Sequence, residues 1–226
     1  MSRVIRALQD MKSCLPGDHR TLSPSMRQRH ADHPVVTEVN QILLPEEADY
    51  LVHRAREKGM KRSTVQGHVE SKDRTSSTAH LEKGQDEVVK CIENRIATVA
   101  QQPVSTLEPL QVTAYKHTQK YNPHHDYFEP KHAGKSKSGQ RTTSVFAYLT
   151  SVDEACGGAT AFPLLKDARG HSLRVQPKKG NAVMWSNRKA DGGTEERTLH
   201  SGEELTCGHT EKLGVNAWFR ERPWTA

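Results

Sequence analysis

The second half of the chain changes to a two-residue period, and this change limits the fold more than any other feature. From residue 110 onward, apolar and polar side chains alternate over short segments that glycines separate. Such alternation predicts strands, and many short strands joined by glycine turns indicate an antiparallel sandwich or barrel. We expect these strands over residues 110–117, 142–150, 174–175, 182–186, 196–201 and 212–220.

The first half carries helical signals instead. Pro45, followed by two glutamates, is typical of a first helical turn, and Gly59 ends the apolar spacing that follows it. A second helix is expected over residues 85–100, where apolar residues recur every three or four positions. Helices first and strands later predict an α+β domain, in which the helices cover one face of a two-sheet sandwich.

One stretch carries residue types that bind metals. Residues 121–128 read Tyr-Asn-Pro-His-His-Asp-Tyr-Phe. In a strand, alternate side chains share a face, so His124 and Asp126 point together and His125 points away. His200, from a neighbouring strand, would complete two nitrogens and one oxygen around a metal, the pattern of non-haem Fe(II) oxygenases. On their own these residues are better explained by a surface turn, because the chain has 13 histidines, and a four-coordinate zinc site is a further alternative.

Composition limits the partners and the compartment. The net charge of +6 and the pI near 9.2 favour anionic partners, but the basic residues are dispersed and carry no nucleic-acid-binding signature. No apolar run approaches the ~18 residues of a membrane span, and the N-terminus lacks the apolar core of a signal peptide. We therefore expect a soluble, cytoplasmic protein with no nucleic-acid or membrane partner. The four cysteines form no CxxC pair, so reduced thiols are expected, although two disulfides are possible.

Seven short sequence motifs match the pattern of a known protein family. They are RTSS at 74–77, IENRIA at 92–97, LQV at 110–112, YNPHHDYF at 121–128, GQR at 139–141, GGATAFP at 157–163 and VQPKKG at 175–180. From about residue 35 to residue 224, the chain resembles the prolyl 4-hydroxylases, the Fe(II)/2-oxoglutarate dioxygenase family with collagen, plant, algal and viral members.

The resemblance implies a fold and a domain division. The implied fold is a double-stranded β-helix, a cupin-like jelly roll, with flanking N-terminal helices. We expect this domain to occupy residues 34–226. Residues 1–33 show no period and are expected to form an irregular N-terminal arm, with a short helix near residues 4–11.

The resemblance also implies which residues hold iron and 2-oxoglutarate. The three metal ligands are His124, Asp126 and His200. The far carboxylate of 2-oxoglutarate needs a buried cation, for which the resemblance implies Lys212, with Tyr115 and Thr160 as hydroxyl donors. This chain has about two residues more than the family between Gly208 and Lys212, so a merely solvated lysine is the alternative. A core tyrosine and a turn threonine are the alternatives for the other two.

For a peptide substrate, the resemblance implies contacts from Tyr121, Arg141 and Trp218. Proline-rich segments dock on aromatic surfaces, and an arginine fork can bind backbone carbonyls, although Trp218 could equally be a core residue. Arg220 stands where algal members often carry a histidine, which leaves the peptide preference open. The polar loop at 131–140 is expected to be a mobile lid or a plain linker.

The implied activity is 4-hydroxylation of peptidyl proline, as in procollagen-proline 4-dioxygenases. Fe(II), 2-oxoglutarate and O2 would be required, ascorbate would act as reductant, and succinate and CO2 would be released. The implied partner is a proline-rich or collagen-like peptide. Two alternatives stay open: a dioxygenase acting on another residue or a small molecule, and a catalytically silent module that binds proline-rich chains.

Overall fold

The computed structural model describes residues 4–8, 10–30, 36–65, 69–129 and 136–225, where two α-helices lie against antiparallel strands. The helices are α1 (Pro45–Lys58) and α2 (Glu87–Ala100). The strands are β1 (Val4–Ala7), β2 (Met11–Lys12), β3 (Thr21–Leu22), β4 (Ser25–His30), β5 (Val36–Asn40), β6 (Lys61–Arg62), β7 (Thr64–Val65), β8 (Val69–Glu70), β9 (Ser77–His80), β10 (Gln111–Tyr115), β11 (Tyr121–His124), β12 (Arg141–Tyr148), β13 (Thr160–Lys166), β14 (Ser172–Val175), β15 (Ala182–Ser186), β16 (His200–Gly202) and β17 (Lys212–Arg220). Short 3-10 turns lie at Val104–Thr106, Glu154–Cys156 and Glu196–Thr198.

Two sheets of these strands face each other. The larger has the order β1-β4-β5-β15-β12-β17-β10-β9-β6, and the smaller has the order β11-β16-β13-β14. A core that includes Phe146, Phe162 and Trp185 fills the space between the sheets. The apolar faces of α1 and α2 pack with the larger sheet in a second core, which includes Leu51, Ile92 and Val215. The expectation of a double-stranded β-helix with N-terminal flanking helices is confirmed.

Both helices begin and end where local chemistry dictates. Asp86 Oδ1 accepts from the backbone N–H of Val89 at 2.8 Å, which caps α2. The backbone N–H of Leu44 donates to Glu47 Oε2 at 2.8 Å ahead of α1. Gly59 has a φ of 81°, a backbone conformation that favours glycine and ends α1.

The expectation of an irregular N-terminal arm is wrong for the described part of residues 1–33. β1, rather than a helix, occupies residues 4–7, and β4 pairs with β5 from Ser25↔Asn40 to His30↔Val36. Only Met26 of β4 is fully buried, so the strand shows no apolar period in the sequence. Its pairing with β5, rather than an apolar face, holds it in the sheet. The domain boundary at residue 34 stays a prediction.

A buried ion pair anchors the N-terminal segment to the helices. Arg95 of α2 and Glu47 of α1 lie 2.5 Å apart, with side chains 3% and 0% exposed. Glu47 Oε1 also accepts from the backbone N–H of Cys14 at 2.7 Å, and Arg95 Nη2 donates to the carbonyl of Lys12 at 2.7 Å. The two charges therefore neutralise each other and hold the segment that contains Cys14.

The expectation of reduced cysteines is also wrong. Cys14 is bonded to Cys91 and Cys156 to Cys207, with Cα atoms 5.6 and 5.0 Å apart. The partners are 77 and 51 residues apart in the chain, so their spacing carries no pairing signal. The second bond ties the turn before β13 to the loop between β16 and β17.

Two other expectations have mixed outcomes. Residues 196–201 are a 3-10 turn followed by β16 rather than one strand, and β13 was not expected at all, because Pro163 interrupts its pattern.

Of the loop 131–140, residues 131–135 lie outside the described residues. In the described part of the chain, no helix is long and apolar enough to cross a membrane.

Candidate metal and cosubstrate site

Strand pairing brings the three predicted metal ligands together. His124 on β11 stands opposite His200 on β16, and Asp126 follows His124 by two residues. Asp126 Oδ1 lies 3.9 Å from His124 Nε2, and Asp126 Oδ2 lies 3.7 Å from His200 Nε2. One ligand atom from each of the three residues lies within 4.8 Å of the others. The facing imidazoles are therefore a consequence of strand register.

The hydrogen bonds of the two imidazoles leave their Nε2 atoms available. His124 Nδ1 lies 2.9 Å from the carbonyl of Asn122, and His200 Nδ1 lies 2.9 Å from the carbonyl of Thr198. A carbonyl only accepts, so Nδ1 carries the proton in each ring and Nε2 keeps its lone pair. Burial lowers the pKa of His124 to about 3 and lowers that of His200, so both rings are neutral.

The carboxylate between these rings is ionised. Burial alone would raise the pKa of Asp126, but the adjacent histidines, Arg141 and the Ser144 hydroxyl lower it to about 2. Two neutral imidazoles and one carboxylate are the donor set that suits Fe(II). His125 turns elsewhere, because its Nε2 lies 2.9 Å from the carbonyl of Glu196.

A cavity continues from these ligands to Lys212. The residues that line it are Arg74, Tyr115, Tyr121, His124, Asp126, Phe146, Thr160, Trp185, His200, Ser201, Gly202, Lys212, Asn216 and Trp218. Lys212 is 1% exposed, and burial lowers its pKa to about 7. Among the described residues, no carboxylate lies within ion-pair distance of its amine. A buried amine of this kind fits an anionic ligand, because a carboxylate would supply the missing countercharge.

Three strands place the predicted 2-oxoglutarate residues around Gly202. Tyr115 stands opposite Lys212 in the β10–β17 pair, and Thr160 stands opposite Gly202 in the β13–β16 pair. A Cβ atom on Gly202 would lie 3.5 Å from Tyr115 Oη and 3.8 Å from Lys212 Nζ. A side chain there would fill the space between these donors, so the glycine keeps the cradle open. The extra residues before Lys212 do not displace it, because β17 fixes its position.

Thr160 is held by a buried tyrosine. Tyr148 Oη is hydrogen-bonded to Thr160 Oγ1 at 3.0 Å and to the carbonyl of Val175 at 3.3 Å, and Tyr148 and Thr160 are both buried. Tyr148 therefore orients Thr160.

The residues predicted to contact the peptide lie along one side of the site, and each already contacts another residue of the chain. Tyr121 stacks on His124 with ring centroids 3.5 Å apart. The Arg141 guanidinium lies 3.7 Å from the centre of the Trp218 ring. Its Nε and Nη2 donate to both carboxylate oxygens of Glu108 at 2.7 and 2.9 Å, so the fork that was expected to reach peptide carbonyls binds Glu108.

Sequence reasoning missed several residues that shape the site. Glu108 accepts from Arg220 as well as from Arg141, and those two charges lower its pKa although burial raises it. Ser144 donates to Asp126 from the middle of β12. A single polar residue forms no motif, and only the spatial neighbours of Glu108 and Ser144 reveal their roles.

Comparisons with known proteins agree with this geometry. The family model for the 2OG-Fe(II) oxygenase superfamily matches residues 110–220. Prolyl 4-hydroxylase 1 of Arabidopsis thaliana is 35% identical over 204 residues, which cover 84% of this chain and 70% of that protein. Probable prolyl 4-hydroxylase 8 of the same plant is 34% identical, and the match spans 66% of its length and 80% of this chain.

Solved structures agree on the fold. A viral collagen prolyl hydroxylase from Paramecium Bursaria Chlorella virus-1, in complex with 2OG, has a TM-score of 0.64 at 24% identity, covering 82% of this chain and 95% of that chain. A Pseudomonas putida prolyl-4-hydroxylase has a TM-score of 0.59 at 18% identity, covering 84% and 94%. The family uses Fe(II), 2-oxoglutarate and O2, with ascorbate as a typical addition. With these relatives and this site, the chain belongs to the prolyl 4-hydroxylase family of 2OG-Fe(II) oxygenases.

Proposed function

We propose that this chain hydroxylates C4 of proline in peptides, using Fe(II), 2-oxoglutarate and O2. The observation that carries the proposal is one cavity lined both by two neutral imidazoles with a carboxylate and by a buried, unneutralised lysine. When bound, Fe(II), 2-oxoglutarate and O2 supply the oxidation, in which 2-oxoglutarate leaves as succinate and CO2 and proline gains a hydroxyl.

Each part of the cavity has a task in this proposal. His124, Asp126 and His200 hold the metal, with both Nδ1 protons directed to backbone carbonyls. Lys212 pairs with the far carboxylate of 2-oxoglutarate, and Tyr115 and Thr160 donate to it as well. The burial of these groups keeps water from competing for the same bonds.

The peptide would lie beside the metal ligands, on the side of Tyr121, Arg141 and Trp218. Trp218 and the guanidinium stacked on it form a flat surface suited to a proline ring. Glu108 holds the guanidinium in place, so Arg141 contributes through its stacked face and through Nη1, which makes no hydrogen bond among the described residues. A proline-rich or collagen-like chain suits such a surface because its preformed extended helix loses little entropy on binding.

The test offers candidate peptides to the purified protein. The protein is incubated with Fe(II), 2-oxoglutarate, ascorbate and one of three peptides: (Pro-Pro-Gly)n, a Ser-Pro repeat or an Ala-Pro repeat. The mass of each peptide is then measured by mass spectrometry, and succinate is quantified. We expect a mass gain of one oxygen on at least one peptide, with matching succinate, and neither product from Asp126→Ala. Succinate without peptide oxidation would point to another substrate, and no succinate with any peptide would contradict the proposal.

The two disulfides bear on where the enzyme works. Disulfides persist in oxidising compartments and are rare in the cytosol. They support an oxidising compartment rather than the cytoplasmic location expected from the sequence. Alkylation of the protein unfolded in denaturant without reductant tests whether the two bonds form: no labelled cysteine agrees with both bonds, and labelling of all four would contradict them.

A further inference from the structure

Behind Asp126 lies a chain of two hydrogen bonds. Ser144 Oγ donates to Asp126 Oδ2 at 2.6 Å, and Asn187 Nδ2 donates to Ser144 Oγ at 2.8 Å. The three residues are 6%, 1% and 0% exposed, in the order Asp126, Ser144, Asn187. Both bonds are therefore largely shielded from bulk solvent.

The direction of this chain follows from its carboxylate end. An ionised carboxylate only accepts, so Ser144 gives its single proton to Asp126 and can only accept from Asn187. Asn187 must then present its NH2 group. Its Oδ1 is left buried, with no hydrogen-bond partner in the described part of the chain. A buried oxygen without a hydrogen bond lowers the stability of the fold. The side-chain amide of Asn187 nevertheless keeps the orientation in which its NH2 group faces Ser144.

The sheet fixes both residues before any ligand arrives. Ser144 stands opposite Trp185 in the β12–β15 pair, and Asn187 directly follows β15. The backbone N–H of Asn187 donates to the carbonyl of Thr142 at 2.8 Å, and its carbonyl accepts from Glu195 N–H at 3.0 Å. The hydrogen-bond chain is therefore part of the larger sheet, whereas Asp126 lies just after the end of β11 in the smaller one.

We propose that Ser144 and Asn187 are positioning residues that hold the Asp126 carboxylate ready to bind metal through Oδ1. The inference rests on the proposed function, in which Asp126 is a metal ligand. Ser144 occupies Oδ2, whereas Oδ1 accepts no hydrogen bond from the described residues and lies 3.9 Å from His124 Nε2. Because Ser144 already fixes the Asp126 side chain, no conformational freedom of that side chain is lost when the metal binds. A carboxylate that binds through one oxygen also leaves coordination positions of the metal open for 2-oxoglutarate and O2.

The experiment measures metal binding without turnover. The full chain is titrated with Co2+, without 2-oxoglutarate or peptide, and the visible absorption of the bound ion reports affinity. Ser144→Ala should weaken Co2+ binding about tenfold to a hundredfold, the usual effect of losing a group that orients a ligand. Ser144→Thr keeps a hydroxyl and should restore affinity.

Asn187→Leu separates positioning from folding. Leucine has a similar size to asparagine. It cannot donate a hydrogen bond to Ser144, so the orienting contact is lost, and it has no side-chain oxygen, so the buried unpaired acceptor is removed as well. We expect this variant to melt at or above the wild-type temperature and yet bind Co2+ about tenfold more weakly. Combining it with Ser144→Ala should add little, because Asn187 acts through Ser144.

Thr113→Val is the matched control. Thr113 is buried in the same sheet, and its hydroxyl also accepts from an asparagine, Asn216, at 3.2 Å. This variant should leave Co2+ affinity unchanged. Wild-type affinity in both Ser144→Ala and Asn187→Leu would overturn the inference and leave the metal site standing. Failure of the wild-type protein to bind Co2+ would instead overturn the proposed function and the inference together.

Discussion

Replacing Lys212 by methionine should stabilise the ligand-free protein and destroy its 2-oxoglutarate site. Burial lowers the pKa of Lys212 from 10.5 to about 7. The folded chain therefore releases this proton at a lower pH than the unfolded chain. Stability rises with pH between those two values, and the cost of the buried charge is fully present below about pH 7.

The structure sets the size of this cost. One pKa unit corresponds to about 1.4 kcal/mol, so the shift from 10.5 to about 7 corresponds to about 5 kcal/mol at most. Local relaxation should reduce it by roughly half, and 1 kcal/mol moves the melting temperature of a chain this size by about 2–4 °C. We expect the ligand-free Lys212→Met protein to melt about 5–10 °C above wild type at neutral pH. The difference should shrink steadily as the pH approaches the ordinary value for lysine.

Thermal melts at several pH values, with and without 2-oxoglutarate, test both halves of the prediction. Wild type should gain stability from the cosubstrate, whereas the variant should bind it tenfold to a hundredfold more weakly, from a lost charge-assisted bond of about 1.5–3 kcal/mol. Lys90→Met, on an exposed lysine of α2, is the control and should change neither quantity. A variant that melts below wild type at neutral pH, or a difference independent of pH, would refute the reasoning.

Three further predictions follow from single contacts. Asp126→Ala should lose bound iron and succinate production, whereas His125→Ala should retain iron, because its ring faces a backbone carbonyl; metal analysis separates them. Arg95→Met should lower the free energy of unfolding by about 3–5 kcal/mol in denaturant titrations, because it leaves the buried Glu47 carboxylate without its cation. Adding Glu47→Leu should recover only part of that loss, because the backbone N–H groups of Cys14 and Leu44 then lose their acceptor. Cys207→Ser should cost about 2–4 kcal/mol in the same assay under oxidising conditions, and no loss would argue against a disulfide at this position.

The sequence predicts the parts of this molecule that depend on local pattern. Alternation places β15 and β17, and the cap and helical period place α2 to within two residues. The meeting of His124 with His200 is also accessible, because strand alternation and one distant histidine suffice to suggest it. These features need only short-range chemistry or a short motif.

Other parts depend on pairing between distant segments. β4 has almost no apolar face, so only its ladder with β5 makes it a strand. Glu108 is one acidic residue among many until the fold sets two arginines against it. The cysteine partners are far apart in the chain, and no local signal selects them.

The N-terminal strands cover a strand edge of the larger sheet that would otherwise be open. β4 covers the side of β5 that β15 leaves open, and Cys14 is fastened to Cys91 behind it. A chain begun at residue 34 would present the backbone N–H and C=O groups of β5 to solvent and leave an unpaired thiol. An uncovered strand of this kind pairs readily with the same strand of another molecule. The described part of the first thirty residues therefore covers an edge of β5 that would otherwise be open to pairing between two copies of the chain.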